Sequence, residues 1–305
     1  MKKSVVTGAC GFIGKEITKK LLHENIIVYA IVTEPDNLKD IVCENLFIIK
    51  SYFDEYMNLP DKLPNDIDVF YHFAWQGVFG EAFKDYALQL SNAKYACDAL
   101  MVAINIRAKK FVLASTVNTL ETRKYFNLDF FKPRYTNIYA TAKLSAEMIG
   151  KTIAYNKGIE FNTGIIAMVY GENNKSRMLP NVVMSNLIYN RESNLIDGNT
   201  LYDMIHVTEV ADAFYHIGIE GINQKTYYVG HANLRTIKDM FNEIRKIINP
   251  DGILNYGFYQ EDTSIDYSLI ELDSLSRDTS FIQSENFSEN IIRTANWIKE
   301  SGEFK

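Results

Sequence analysis

Short apolar runs alternate with segments of helical periodicity through residues 1–170. Each apolar run predicts a buried strand, and the runs are Ser4–Thr7, Ile26–Val32, Leu46–Ile49, Val69–Ala74, Lys110–Ser115 and Ile165–Tyr170. Between them, apolar residues recur three and four positions apart, which predicts helices over Phe12–His23, Tyr86–Ile106 and Ile138–Tyr155. Continuous apolar strands separated by helices are typical of a parallel sheet covered on both faces. The pattern therefore predicts an α/β fold with a doubly wound parallel sheet.

The alternation loosens after Gly171. Further helices are predicted at Leu179–Tyr189, Val207–Ile219 and Ser288–Lys299, with a strand at Lys225–Val229. No linker rich in proline or serine marks a boundary. We predict a larger domain formed by residues 1–170 plus about 207–230, and a smaller C-terminal lobe formed by about 171–206 and 231–305.

Composition narrows the possible partners. The chain has 305 residues, a net charge of −6 and no basic stripe, which argues against a nucleic-acid partner. The longest early apolar run, Ile26–Val32, is too short to span a membrane. The cysteines Cys10, Cys43 and Cys97 form no CxxC pair, so we expect a cytoplasmic protein. The histidines show no ligand spacing with cysteines or acids, and no metal site is predicted.

Three glycines, Gly8, Gly11 and Gly14, lie between the first strand and the first helix. In this setting one glycine permits a tight turn, one lets the backbone approach a pyrophosphate, and one lets helix and strand pack closely. The helix N-terminus then offers free N–H groups and a partial positive charge to phosphates. The segment therefore predicts dinucleotide binding, and the alternative is a turn that serves packing alone.

The GxxGxxG spacing after Thr7 resembles the extended short-chain dehydrogenase/reductase family, which includes nucleotide-sugar epimerases, dehydratases and ketoreductases. The resemblance implies a Rossmann domain with a substrate-binding C-terminal lobe. It also implies a YxxxK pair at the start of a later helix, and Tyr139 and Lys143 form the one such pair in the chain. Residues four apart share a helix face, so both side chains can reach one ligand.

The Tyr–Lys spacing suits acid–base chemistry on a hydroxyl group. A free phenol has a pKa near ~10, and a neighbouring cation brings that pKa toward neutrality. Lys143 is expected to act in this way on Tyr139. The resemblance assigns a third catalytic role to Thr116, whose hydroxyl would bond the reacting oxygen. The alternative is a half-buried tyrosine with an exposed lysine, and a threonine that only caps a strand.

The two positions after Thr116 exclude one branch of the family. The 4,6-dehydratases carry an acid pair there to eliminate water, whereas this chain has Val117 and Asn118. Neither side chain can transfer the proton that elimination requires, so the reaction is predicted not to be a 4,6-dehydration.

Further segments resemble the cofactor and substrate contacts of the family. They are Tyr71–Trp75 at the end of the fourth strand, Asn92 in a helix, Met168–Gly171, and Asp203–Ala213, which contains His206. The resemblance implies that the cofactor contacts Gly8, Cys10, Gly11, Phe12, Ile13, Thr33, Phe73, Ala74, Trp75, Asn92, Ala114, Tyr139, Lys143 and Met168.

The choice between NAD and NADP stays open. An NAD-dependent member ends its second strand with an acid, but Val32 occupies that place and Glu34 lies two positions late. No arginine is nearby for a 2′-phosphate, although Lys15 could meet one. The sequence leans toward NADP on this residue alone.

The arginine that the resemblance implies for binding a substrate diphosphate is missing from its usual position. An arginine usually precedes the Asp203 position, and here that residue is Tyr202. Arg177 could substitute because bidentate arginine suits phosphate oxygens, or it could be a solvated loop charge. The predicted substrate contacts are Thr116, Val117, Asn118, Tyr139, Arg177 and Tyr202.

Together these features predict an NAD(P)-dependent oxidoreductase or epimerase that acts at C4 of a nucleoside-diphosphate sugar. A reductase would consume cofactor, whereas an epimerase would turn over with no net change. The alternatives are a ketone reductase for a non-nucleotide substrate and a non-catalytic NAD(P)-binding sensor. The resemblance also implies a homodimer formed through the helix of Tyr139 and the helix before it.

Overall fold

A computed structural model describes residues 1–126, 134–260, 265–284 and 286–304. The strands are β1 (Lys3–Thr7), β2 (Ile27–Val32), β3 (Leu46–Lys50), β4 (Val69–His72), β5 (Lys110–Thr116), β6 (Glu160–Ile166), β7 (Met168–Tyr170), β8 (Ser193–Asn194), β9 (Leu201–Tyr202), β10 (Met204–His206), β11 (Thr226–Val229), β12 (Arg235–Thr236) and β13 (Leu254–Asn255). The helices are α1 (Phe12–His23), α2 (Tyr86–Asn105), α3 (Asn118–Tyr125), α4 (Tyr135–Lys157), α5 (Leu179–Ile188), α6 (Val207–Glu220), α7 (Ile237–Ile248), α8 (Ser274–Asp278) and α9 (Phe287–Ser301). Short 3₁₀ segments lie at Pro35–Leu38, Phe53–Lys62, Glu81–Lys84 and Tyr267–Leu269.

The main sheet has the order β3-β2-β1-β4-β5-β6-β11, and its neighbouring strands are parallel. This is the predicted doubly wound α/β architecture. In the register, Thr7 pairs with His72, and His72 pairs with Leu113. The carboxyl ends of β1, β4 and β5 therefore meet at one edge of the sheet, where α/β proteins of this kind bind their ligands.

Small residues let α2 and α4 pack closely beside the sheet. Ala96, Ala99 and Ala103 of α2 and Ala142 and Ala146 of α4 belong to one buried cluster. Short side chains permit the two helix axes to approach, which fixes the position of the helix that carries Tyr139 and Lys143.

The sixth strand was predicted at Ile165–Tyr170, and the structure divides this region differently. β6 ends at Ile166, and β7 pairs instead with β10. The prediction began too late because Asn162 and Thr163 look polar. Both are buried, and the Asn162 amide donates to the carbonyl oxygens of Ile222 and Lys225.

The described residues form two compact units. The larger contains those of 1–166, 210–229 and 265–281, and the smaller contains those of 167–209, 230–264 and 282–305. Residues 265–281, which were predicted in the smaller lobe, thus group with the main sheet. In the smaller unit, β12 pairs with β9 and β13 with β8, beside a core built on α5, α7 and α9. Its role in substrate binding stays a prediction.

Candidate active site

In the glycine turn after β1, Gly8 and Gly14 pack against backbone, whereas Gly11 faces solvent. Gly8 has φ +69°, and a Cβ there would lie 2.7 Å from the backbone nitrogen of Ala74. A Cβ on Gly14 would lie 2.0 Å from the carbonyl oxygen of Gly8. Gly11 is exposed, and among the described residues a Cβ on it would meet just the Gly8 oxygen at 3.2 Å. Packing thus explains two glycines, and the third leaves room for a ligand.

The start of α1 suits an anion. Gly11 is its N-cap residue, no described side chain caps the helix, and its first turn contains no acid. The N–H groups of a first helical turn lack intrahelical partners and carry a partial positive charge. Cys10, Phe12 and Ile13 are next to this point in the chain, and their contact with a cofactor stays a prediction. The segment therefore fits the pyrophosphate of a dinucleotide.

The end of β2 gives less support to NADP. Thr33 is half-buried there, directly after the buried Val32. The ammonium of Lys15 lies 2.6 Å from the Asp40 carboxylate and donates to the Asn37 carbonyl oxygen at 3.1 Å. This ion pair holds the pKa of Asp40 below its ordinary value. The cation that suggested NADP is thus already paired.

Tyr139 and Thr116 come together at the carboxyl end of β5. The Thr116 hydroxyl lies near enough to the Tyr139 phenol to favour its ionised form. The Tyr139 ring is buried between two aromatic neighbours. Its centroid lies 6.2 Å from that of Trp75, edge to face, and 4.8 Å from that of Phe83. A phenol held against a hydroxyl in a water-poor site is arranged for proton transfer to a bound oxygen.

Lys143 lies one helical turn after Tyr139 and is buried. Its ammonium donates to the carbonyl oxygen of Ala114 at 3.0 Å and lies 3.9 Å from the centroid of the Trp75 ring. Burial lowers the pKa of Lys143 to about 7, because a charge is costly away from water.

The expected lowering of the tyrosine pKa is not what the structure has. Burial raises the pKa of Tyr139 above its ordinary value, against a smaller opposing effect of the nearby Thr116 hydroxyl. The physical reason is that desolvation disfavours the phenolate, while the nearby lysine is itself partly discharged by burial. Tyr139 is therefore a neutral phenol at pH 7, ready to donate a proton.

The segment after β4 borders the same edge. The Asn92 side-chain oxygen accepts a hydrogen bond from the Gln76 backbone N–H at 3.0 Å. Its amide nitrogen donates to the Gln76 carbonyl oxygen at 2.8 Å. Its visible role is to hold this segment, and the predicted cofactor contact stays a prediction. Phe73 packs edge to face on Phe214, with 4.7 Å between centroids.

Val117 and Asn118 lead into α3, which buried ion pairs tie to α4. Arg123 contacts both carboxylate oxygens of the buried Glu147 at 2.8 Å. Arg134 pairs with the buried Glu121. These contacts hold the residues after Thr116 in a fixed relation to the helix of Tyr139.

The remaining predicted site residues belong to the smaller unit. Met168 is in β7, and Arg177 is exposed in the segment before α5. Tyr202, in β9, is directly opposite Arg235 of β12 in the antiparallel register. Sequence analysis missed Arg235, because its relation to Tyr202 depends on a strand pairing that no motif indicates.

Arg235 lines a cavity of about 270 Å³ within the smaller unit. Its polar lining includes Asp203, His231, Asn233, Arg235, Gln283 and Ser284. Burial lowers the pKa of His231, but the Glu209 carboxylate at 3.0 Å outweighs it and raises that pKa overall. The Arg235 guanidinium borders this cavity, and a guanidinium suits the oxygens of a phosphate-bearing ligand.

Comparison with known proteins decides the family. The NAD dependent epimerase/dehydratase family matches residues 4–230. The chain belongs to this family. Its members act as nucleotide-sugar epimerases and dehydratases with NAD, in agreement with the predicted resemblance.

Two curated members of the family illustrate its range. The CDP-abequose synthase of Salmonella muenchen is 22% identical over 275 residues, covering 84% of each chain. A trifunctional UDP-glucose 4,6-dehydratase/UDP-4-keto-6-deoxy-D-glucose 3,5-epimerase/UDP-4-keto-L-rhamnose-reductase of Arabidopsis thaliana is 24% identical over 324 residues. That match covers 99% of this chain and 48% of the plant protein, so the chain spans about half the length of this relative.

Solved structures of epimerases share the fold. The UDP-N-acetylglucosamine 4-epimerase of Methanobrevibacter ruminantium superposes with a TM-score of 0.81 at 22% identity, covering 98% of this chain and 99% of the other. The UDP-glucose 4-epimerase of Thermotoga maritima gives 0.80 at 17% identity, with the same coverage. Among the described residues, no helix is long and apolar enough to cross a membrane, and no group of His, Cys, Asp and Glu is arranged to hold a metal.

Proposed function

We propose that the protein interconverts an alcohol and a ketone at C4 of a nucleoside-diphosphate sugar, by 4-keto reduction or by C4 epimerisation. The observation that carries this proposal is that Thr116 lies beside the buried Tyr139, with the buried Lys143 one turn later on the same helix. A single phenol that gives or takes one proton at a sugar oxygen is sufficient acid–base machinery for either reaction.

Each residue of the site has a distinct part. Tyr139 donates its proton to the developing alkoxide in reduction, and it accepts the hydroxyl proton in the reverse direction. Thr116 donates a hydrogen bond to the same oxygen and holds it beside the phenol. Lys143 supplies the charge that stabilises the phenolate once Tyr139 has lost its proton.

The cofactor would lie on the glycine turn, with its pyrophosphate at Gly11 and the start of α1. When bound, the nicotinamide supplies the two-electron redox chemistry that these side chains lack. We propose NAD(H) rather than NADP(H), because Lys15 is paired with Asp40 and a 2′-phosphate would meet that carboxylate. The site residues predicted from the sequence, from Gly8 to Lys143, are the proposed contacts in the larger unit.

Elimination of water is not part of the proposal. Val117 and Asn118 follow Thr116 in the structure as in the sequence, and α3 is anchored by Arg123–Glu147. No carboxylic acid is therefore placed directly after Thr116 to protonate a leaving hydroxyl group.

We further propose that the nucleotide part of the substrate binds in the smaller unit, where Arg235 replaces the arginine missing at Tyr202. The register places the two residues as direct cross-strand neighbours, whose side chains share a face of the two-stranded sheet. The guanidinium lies 2.6 Å from the Glu243 carboxylate and 5.6 Å from the Phe287 ring centroid. Arg177, by contrast, is exposed in the segment before α5.

A homodimer is proposed through the outer faces of α2 and α4. Large apolar side chains are exposed there, including Tyr86 and Leu90 of α2 and Tyr135, Met148 and Tyr155 of α4. Large apolar side chains exposed on two packed helices are typical of an interface.

The test is a cofactor balance. Purified protein is incubated with NADH and a panel of nucleoside-diphosphate 4-ketosugars, and separately with NAD⁺ and 4-hydroxy nucleotide sugars. Reduction consumes one NADH for each hydroxyl formed, whereas epimerisation exchanges the two 4-hydroxy epimers without net change in NADH. Turnover of simple ketones but of no nucleotide sugar would contradict the proposed substrate class.

A further inference from the structure

Trp75 lies three residues after the end of β4 and contacts both Tyr139 and Lys143. Its ring centroid is 3.9 Å from the Lys143 ammonium. Its ring also meets the Tyr139 ring edge to face, at an interplanar angle of 89°. One half-buried aromatic side chain thus touches two residues that are assigned separate chemical tasks.

A buried glutamine fixes the orientation of this indole. Gln89 of α2 is 0% exposed, and its side-chain oxygen accepts a hydrogen bond from the Trp75 indole N–H at 2.8 Å. Its amide nitrogen donates to the carbonyl oxygens of Gly77 at 2.8 Å and Ala82 at 3.1 Å. Gln89 therefore links the indole to the segment from Gly77 to Ala82, and the next residue, Phe83, packs on Tyr139.

The contact with Trp75 changes what Lys143 can do. An ammonium has three N–H donors. One is used on the Ala114 carbonyl oxygen, and the face of the indole partly satisfies another by cation–π attraction. These two contacts restrain the Lys143 side chain, and the described residues place no partner on its third donor.

We propose that Trp75 is a positioning residue for the reaction, holding Lys143 and Tyr139 in mutual register, and that Gln89 holds Trp75. This inference rests on the proposed function for its catalytic consequence. Its structural part, the seating of Lys143 on the indole, stands independently of any substrate.

Four variants test the inference. Trp75→Leu removes the aromatic face, and Trp75→Phe keeps a face but loses the N–H. Gln89→Leu removes the hydrogen bond to the indole together with those to Gly77 and Ala82, and it leaves the Tyr139 and Lys143 side chains unchanged. Trp297→Phe is the matched control, since it changes the other tryptophan of the chain, which packs on Phe304 in the smaller unit.

The first measurement needs neither substrate nor cofactor. Protein labelled with ¹³C at the lysine Cε is observed by NMR, and the Lys143 signal is assigned by its loss in Lys143→Arg. Protons above an indole face are shifted upfield, so the Lys143 ε-protons are expected upfield of the other lysines. Trp75→Leu should return them to the ordinary range, and Trp297→Phe should leave them unchanged. An unmoved Lys143 signal in Trp75→Leu overturns the inference.

The second measurement separates positioning from folding. Trp75→Leu is expected to lower kcat about thirty-fold, as loss of a desolvated cation–π contact implies, with the KM for the sugar within about threefold. Gln89→Leu should show a smaller fall in kcat, and Trp75→Phe should retain most of the activity. A kcat of Trp75→Leu within about twofold of the natural protein overturns the catalytic consequence. If the natural protein turns over no nucleotide sugar while the Lys143 signal responds to Trp75→Leu, the proposed function fails and the seating of Lys143 stands.

Discussion

Arg235 faces Tyr202 across an antiparallel pair of short strands in the smaller unit. Under the proposed function, Arg235 supplies the phosphate contact that the sequence places at Tyr202.

Arg235→Gln is expected to raise the KM for a nucleotide sugar at least tenfold with little change in kcat, because a charge-assisted contact to phosphate is lost. Glu243→Gln should act in the opposite direction, since it removes the carboxylate that competes for the guanidinium at 2.6 Å. Steady-state kinetics on one nucleotide sugar provide both values. Equal KM values for all three proteins would show that Arg235 does not contact the substrate.

Lys143→Met should stabilise the protein near neutral and acid pH while removing activity. Below about pH 7 the buried lysine is charged in both the folded and the unfolded chain, so the cost of burying its charge is fully present. Between about pH 7 and the ordinary lysine pKa of ~10.4, only the unfolded chain keeps the proton. The free energy of unfolding of the natural protein therefore rises with pH in this range. From this pKa shift we expect the variant to gain about 4 kcal/mol at about pH 6 and to lose most of that gain by about pH 10.

Urea unfolding at several pH values measures this difference. Lys109→Met is the matched control, since Lys109 is exposed and paired with Asp68. The control should give no gain at pH 6. A Lys143→Met effect that is constant across this pH range would mean that Lys143 is not held with a lowered pKa.

Asp40→Asn should shift cofactor preference toward NADPH. The substitution releases Lys15 from its ion pair and removes a negative charge where a 2′-phosphate would lie. The ratio of the NADH and NADPH dissociation constants, measured by cofactor fluorescence, is expected to change by about tenfold in favour of NADPH. Adding Lys15→Gln to the same variant should cancel the gain. Tighter natural binding of NADPH than of NADH would contradict the proposed cofactor.

Replacing Leu90 with glutamate should convert a dimer to a monomer. Leu90 is exposed on α2, and a carboxylate at an apolar interface leaves an unpaired buried charge. Light scattering should give about twice the chain mass of 35.0 kDa for the natural protein and the single mass for the variant. Phe47→Glu, at an exposed position of β3, is the control and should stay dimeric. A monomeric natural protein would remove the basis of this proposal.

The sequence was sufficient for the features that depend on local spacing. Gly8 and Gly14 must be glycine because a Cβ at either would overlap backbone, and this constraint produces a readable motif. Tyr139 and Lys143 lie on one helix, so their relation also follows from spacing. The alternation of strands and helices was readable because each parallel strand is buried on both faces.

Features that depend on tertiary pairing could not be predicted. The Lys15–Asp40 ion pair joins a helix to a later loop, and it reverses the argument for NADP. The contact of Trp75 with Lys143 spans 68 positions along the chain and leaves no periodic trace. The pKa of Tyr139 depends on burial, which spacing does not report.

The central claim is that Tyr139 is the acid–base group of a C4 alcohol–ketone interconversion on a nucleotide sugar. Its most direct test is single-turnover kinetics of the natural protein and Tyr139→Phe, with cofactor and nucleotide sugar at saturation. Phenylalanine preserves the ring contacts with Trp75 and Phe83 and removes the exchangeable proton. We predict a fall of about 10³-fold in the rate of the chemical step with unchanged cofactor affinity. A rate within about tenfold of the natural protein would contradict the claim.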